Sequence, residues 1–93
     1  MIQLGGNIEL EGFEAIEPGK LVVIKKIVGS YTRKISDSTA GFEKIKVTLD
    51  HGPESKVAVL VSVSGKETKS EANDKNLFFA LDRALLGAQN KLG

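Results

Sequence analysis

The residue pattern predicts an α+β fold: a two-layer sandwich in which a four-stranded sheet carries two helices on one face, in the order β-α-β-β-β-α. Three observations carry this expectation. Val57, Val59, Val61 and Val63 recur at every second position, and Ile45, Val47 and Leu49 do the same, which is the period of strands with one buried face. Apolar residues recur at helical spacing over 21–35 and again over 77–92. Strands that alternate in this way leave their other face polar, so both helices belong on the same side.

Taken in order, Ile2-Gln3-Leu4 reads as a short strand broken by Gly5-Gly6. Residues 7–17 interleave Ile8, Leu10, Phe13 and Ile16 with Glu9, Glu11, Glu14 and Glu17, an alternation compatible with a strand followed by an irregular approach to a helix but not counted among the four strands. Pro18 suits the first helical position, where its missing N–H costs nothing, and Glu17 complements the positive end of the helix dipole. Leu21, Ile24, Ile27, Val28, Tyr31 and Ile35 form the buried stripe of the first helix, which the small residues of SDSTAG (36–41) end. Phe42 to Asp50 is the next strand, and Asp50-His51-Gly52-Pro53 is a turn. Lys56 to Ser64 follows as a strand. Ser64-Gly65-Lys66 joins it to the polar, edge-like strand 66–72. Asn73 or Asp74 caps the last helix, whose stripe is Leu77, Phe78, Leu81, Ala84, Leu85, Ala88 and Leu92.

Ninety-three residues suit one domain, 1–93. With no cysteine, neither a disulfide nor a thiolate zinc site can form. No uninterrupted apolar run is longer than the five residues of Val57 to Val61 or Leu77 to Leu81, far too short to cross a bilayer, so the cytoplasm is the expected location and no membrane partner is expected. His51 is the only histidine, so no nucleophile–base–orienter set can be assembled around an imidazole. No Gly-x-x-x-x-Gly-Lys phosphate loop occurs. The acids Glu9, Glu11, Glu14 and Glu17 lack the spacing of a calcium loop and read as a solvated edge. We expect no enzyme, no metal or other cofactor, and no small-molecule substrate.

Charge is the informative feature. Between Glu17 and Asp37 nineteen residues pass without a carboxylate, while Lys20, Lys25, Lys26, Arg33 and Lys34 stand there. The 13 basic and 12 acidic residues nearly cancel overall, which leaves −4 outside that stretch. Concentrated positive charge on one helix is an electrostatic footprint suited to a polyanion such as nucleic acid. At about 100° per residue, Lys26, Gly29, Ser30 and Arg33 fall opposite the buried stripe, with Lys25 and Lys34 beside them. Small Gly29 and Ser30 would let a phosphate backbone approach while the cations neutralise it. The alternative is a solvated face on which Gly29 has no role. Lys44 and Lys46, on the polar face of the strand 42–50, either extend the basic surface or solvate the open side of the sheet. No aromatics alternate with them and no Gly-x-x-Gly is present, so neither base stacking on the sheet nor a KH-type loop is expected.

In the last helix, Phe79 and Leu86 lie seven apart opposite the buried stripe, with Arg83 beside them. They form either a partner interface, including a homodimer contact, or a surface covered by the segment containing Phe13 and Ile16.

Glu71-Ala72 followed by NDKNLFFALD resembles the start of the last helix in ribosome hibernation factors, the ribosome-associated inhibitor A and hibernation-promoting factor family. Gly-Asn-Ile-Glu (6–9), Lys-Val-Thr-Leu (46–49) and SGKETKSEA fall where that family has similar segments, so the resemblance spans nearly the whole chain. It implies a β-α-β-β-β-α domain akin to double-stranded-RNA-binding (dsRBD-like) folds. It also implies a partner, the rRNA of the small ribosomal subunit, and translation regulation by idling ribosomes under stress. The chain departs from the family in three places. Gly87, Gln89 and Asn90 stand where the family's last helix is basic, with only Lys91 charged before Gly93. The first helix stretch is wholly basic instead of mixed, and the approach to it is longer. On these grounds the expected RNA-binding set is Lys25, Lys26, Gly29, Ser30, Arg33, Lys34, Lys44 and Lys46. The alternative is a protein-interaction or homodimerisation module of the same fold that lacks RNA affinity.

Overall fold

A computed structural model describes residues 1–92; Gly93, the last residue of the expected domain, lies outside them. The elements are β1 (Ile2–Leu4), β2 (Ile8–Glu11), α1 (Pro18–Ser38), β3 (Phe42–His51), β4 (Ser55–Val63), β5 (Lys66–Asp74) and α2 (Leu77–Leu92). The strands form one five-stranded sheet in the order β1-β2-β3-β4-β5. This corrects the four-stranded, dsRBD-like expectation, because the acidic segment supplies a strand of its own.

β1 and β2 form an antiparallel hairpin, and β2 then runs parallel to β3 with Leu10 opposite Val47. Parallel neighbours need a long crossover, and α1 makes it. The remaining pairs are antiparallel, and the β3–β4 register sets Ile45, Val47 and Leu49 opposite Val61, Val59 and Val57. All six are buried beneath the helices with Leu10, Ile24, Val28, Ile35, Leu81 and Leu85. Each such side chain contributes roughly 1.5–3 kcal/mol relative to being left in water.

Between β2 and α1 the chain turns inward at Gly12, whose φ is +84° and whose added Cβ would sit 2.2 Å from the carbonyl oxygen of Leu49. Only glycine fits both the left-handed backbone and that approach. The turn delivers Phe13 into the core, where it is fully buried. Close approach also governs α2. A Cβ on Gly87 would meet the Oγ of buried Ser70 at 2.4 Å, so the pair lets the helix lie low over β5.

Helix ends differ from the sequence expectation in ways that local hydrogen bonds explain. β5 continues through Asp74, so neither Asn73 nor Asp74 caps α2. The Oδ1 of Asn76 instead accepts from the N–H of Phe78 (2.9 Å) and Phe79 (3.4 Å). Asp74 in turn accepts from the Asn76 N–H at 2.8 Å. α1 runs three residues past Ile35, helped by Ser38, whose hydroxyl donates to the Lys34 carbonyl at 2.9 Å. His51 closes β3 opposite Ser55, so the turn itself is Gly52–Glu54.

Candidate nucleic-acid interface

Two layers of opposite character result from this arrangement. The helices α1 and α2 hold seven of the thirteen basic residues and two of the twelve acids, a net charge of +5 that leaves −4 on the rest of the chain. A molecule almost neutral overall therefore presents a positive helical side.

α1 buries Ile24, Val28, Thr32 and Ile35, with the Thr32 hydroxyl donating to the Val28 carbonyl at 2.7 Å. The helical period turns Lys26, Ser30 and Arg33 outward, where all three are exposed, together with Lys34. Lys25 and Gly29 are half-buried on the adjoining flank, and nothing lies within 4 Å of a Cβ placed on Gly29. A small residue is not demanded there by packing. Among the described residues, Lys25, Lys26, Arg33 and Lys34 form no ion pair, whereas Lys20 lies 3.8 Å from Glu17.

The flank of α1 facing α2 is fixed by one tie. The Tyr31 hydroxyl donates to Asp82 at 2.7 Å, and the Lys34 ammonium lies 5.6 Å from the Tyr31 ring centre. Loss of water around the phenol, followed by the neighbouring Asp82 carboxylate, pushes the Tyr31 pKa up to about 12. Above this tie lies an open groove of about 410 Å³, walled by Lys26, Ser30 and Lys34 on α1 and by Asp82 on α2. Sequence reading missed the tie, because the two residues stand 51 positions apart.

The structure does not bring Lys44 and Lys46 to this face. They project from the open side of the sheet, where Lys44 lies 3.1 Å from Glu9 and Lys46 3.0 Å from Glu11. The parallel β2–β3 pairing produces both contacts, so the acids that read as a solvated edge neutralise these lysines. On the same side Glu71 lies 3.7 Å from Lys56 and 3.5 Å from Lys69.

Phe79 and Leu86 are 61% and 43% exposed, and Arg83 between them is exposed and forms no ion pair among the described residues. The segment before α1 does not cover them. Phe13 is in the core, and Ile16 lines a separate hollow of about 480 Å³ beside Leu77 and Phe78. That hollow, between the N-terminal ends of the helices, contains Glu17, Lys20 and Lys75 but no converging acid–base set. Among the described residues, no three His, Cys, Asp or Glu side chains are placed to hold a metal ion, and no helix is long and apolar enough to cross a membrane.

No protein-family model matches this sequence, and no curated protein matches it. Solved structures do. The N-terminal domain of Protein Y from Thermus thermophilus superposes with a TM-score of 0.67 over 91% of each chain at 19% identity. A ribosomal subunit interface protein from Coxiella burnetii superposes with a TM-score of 0.71 over 92% of each chain at 13% identity. The second of these is named for the ribosomal subunit interface, in keeping with the ribosome-associated family that the sequence resembles. At such identities the likeness establishes architecture: this chain has the fold of the Protein Y N-terminal domain and of a ribosomal subunit interface protein.

Proposed function

We propose that this chain is a non-enzymatic, cytoplasmic ribosome-binding domain, spanning 1–93, that inhibits translation by occupying the small subunit. The outer face of α1 contacts rRNA phosphates, and the folded body obstructs the path of tRNA or mRNA. One observation carries the reading: among the described residues Lys25, Lys26, Arg33 and Lys34 of α1 stand without carboxylate partners, while Lys44, Lys46, Lys56 and Lys69 of the sheet are paired. Ion-paired lysines gain little from phosphate, because they exchange one anion for another. Unpaired ones release the counterions condensed on the nucleic acid. The fold shared with a ribosomal subunit interface protein supports the choice of polyanion.

If Lys25, Lys26, Arg33 and Lys34 each neutralise one phosphate, the logarithm of affinity falls with the logarithm of salt at a slope of about −3.6 on duplex RNA, so binding weakens on the order of 10²-fold between 50 and 200 mM salt. Sucrose-gradient sedimentation of cell extract at low salt, probed for this protein, tests the reading. Co-migration with ribosomal fractions in starved or growing cells is expected, and absence from those fractions in both states rejects it.

The exposed Phe79 and Leu86 favour a second reading, a module that retains the fold without RNA affinity. On that reading substitutions at Phe79 and Leu86 abolish activity and those at Lys26 do not.

A further inference from the structure

We propose that the outer face of α2 is a weak homodimer contact in which two copies meet as parallel helices about a twofold axis running along α2. The face is apolar at its centre and charged at its margins. Phe79 and Leu86 are seven residues apart, so they share one line along the helix, and both are exposed. Asp82 and Arg83 lie halfway between them in height. By the helical period they fall about 50° to either side of that line. The Tyr31–Asp82 hydrogen bond places α1 on the Asp82 side.

Symmetry then decides the orientation. An antiparallel twofold pair keeps each flank on the same side, so Asp82 would face Asp82 of the other copy and Arg83 would face Arg83. It would also bring the unpaired cations of the two α1 helices together. A parallel twofold pair crosses the flanks, so Asp82 of each copy meets Arg83 of the other while Phe79 stacks on Phe79 and Leu86 on Leu86. The same operation carries the two α1 helices to opposite sides of the axis. Two apolar layers flanked by two reciprocal charge pairs are a self-complementary surface, and like charges set opposite one another exclude the alternative.

Two side chains and two charge pairs make a small contact, and binding has to offset the lost freedom of both copies, so the dimer is weak and a high protein concentration is needed to populate it. Both copies also bring helical layers of +5, so added salt screens their repulsion and strengthens the dimer. This contact does not rest on RNA binding, and salt separates the two: RNA affinity falls as salt rises.

Sedimentation equilibrium of the full chain at 1 mM protein tests the inference. Dimer is expected in 0.5 M salt, with less at 0.05 M, and a monomer under both conditions overturns it. Phe79→Glu with Leu86→Glu, at positions where the fold buries little, is expected to retain the far-ultraviolet circular dichroism of the parent and sediment as a monomer. A variant that keeps its fold and still dimerises overturns the inference. The exchange Asp82→Arg with Arg83→Asp fixes the orientation. The exchanged protein is expected to dimerise with itself about as well as the parent, while mixed dimers with the parent are at least several-fold weaker. Mixed dimers tighter than either parent would show antiparallel pairing and overturn the arrangement.

Discussion

Replacing Gly29 with alanine separates the needs of the fold from those of the binding face. Gly29 lies inside α1, its φ is not positive, and an added Cβ finds nothing within 4 Å. Glycine in a helix interior is about 1 kcal/mol less favourable than alanine, mainly through backbone entropy lost on folding. With no clash to offset that gain, Gly29→Ala should stabilise the protein by about 1 kcal/mol and raise Tm by roughly 4–8 °C for a chain of this size. The same methyl group stands beside Lys25, Lys26 and Arg33, where a phosphate backbone has to approach. Displacing one charge-assisted contact costs on the order of 1 kcal/mol, or a three- to tenfold loss of affinity. Thermal melts by circular dichroism and titration of small subunits at 50 mM salt measure the two effects. A rise in Tm accompanied by weaker binding is expected. Unchanged or lower Tm would refute the claim that α1 has no packing need for glycine, and undiminished affinity would remove Gly29 from the binding face.

Gly12→Ala should do the reverse. Its left-handed backbone and backbone-to-Cβ clash with Leu49 predict a loss of about 2–4 kcal/mol, read as a lower urea midpoint. Tyr31 is the only tyrosine, so its phenolate absorbance reports one group. The midpoint should lie near 12, and Asp82→Asn should lower it toward the ordinary value near 10. Because the folded pKa is raised, the stabilisation from this group is complete below about pH 10 and is lost as pH climbs toward 12. Lys44→Ala with Lys46→Ala should leave ribosome affinity within about twofold and stability within about 1 kcal/mol, since both side chains are surface ion-paired on the opposite layer. A tenfold loss of binding would return them to the interface.

Elements with a sustained period were legible without coordinates. The valine ladder of β4, the alternation of β3 and the stripes of α1 and α2 follow from side-chain periodicity alone, as does the outward position of Phe79 and Leu86. β2 was only half legible, because its four residues, Ile8–Glu11, are stabilised chiefly by a parallel partner beyond α1. That pairing decides the fate of Lys44 and Lys46. Without it their carboxylate partners are invisible, and the lysines look as available as those on α1. Phe13 carried no local signal of its complete burial, since it follows a turn that only the tertiary approach of Gly12 to β3 explains. The α2 cap moved to Asn76 for a similar reason: the β4–β5 ladder holds Asn73 and Asp74 in the strand.

Pelleting of purified ribosomes with the wild-type chain and with Lys26→Glu plus Arg33→Glu, at 50 mM salt, tests the central claim most directly. Both substituted side chains are exposed, so the variant should keep its fold. The wild type is expected to pellet with the small subunit, and the charge-reversed variant to remain in the supernatant after losing at least 10²-fold in affinity. Equal pelleting of the two proteins would contradict the assignment of α1 as the ribosome-binding face.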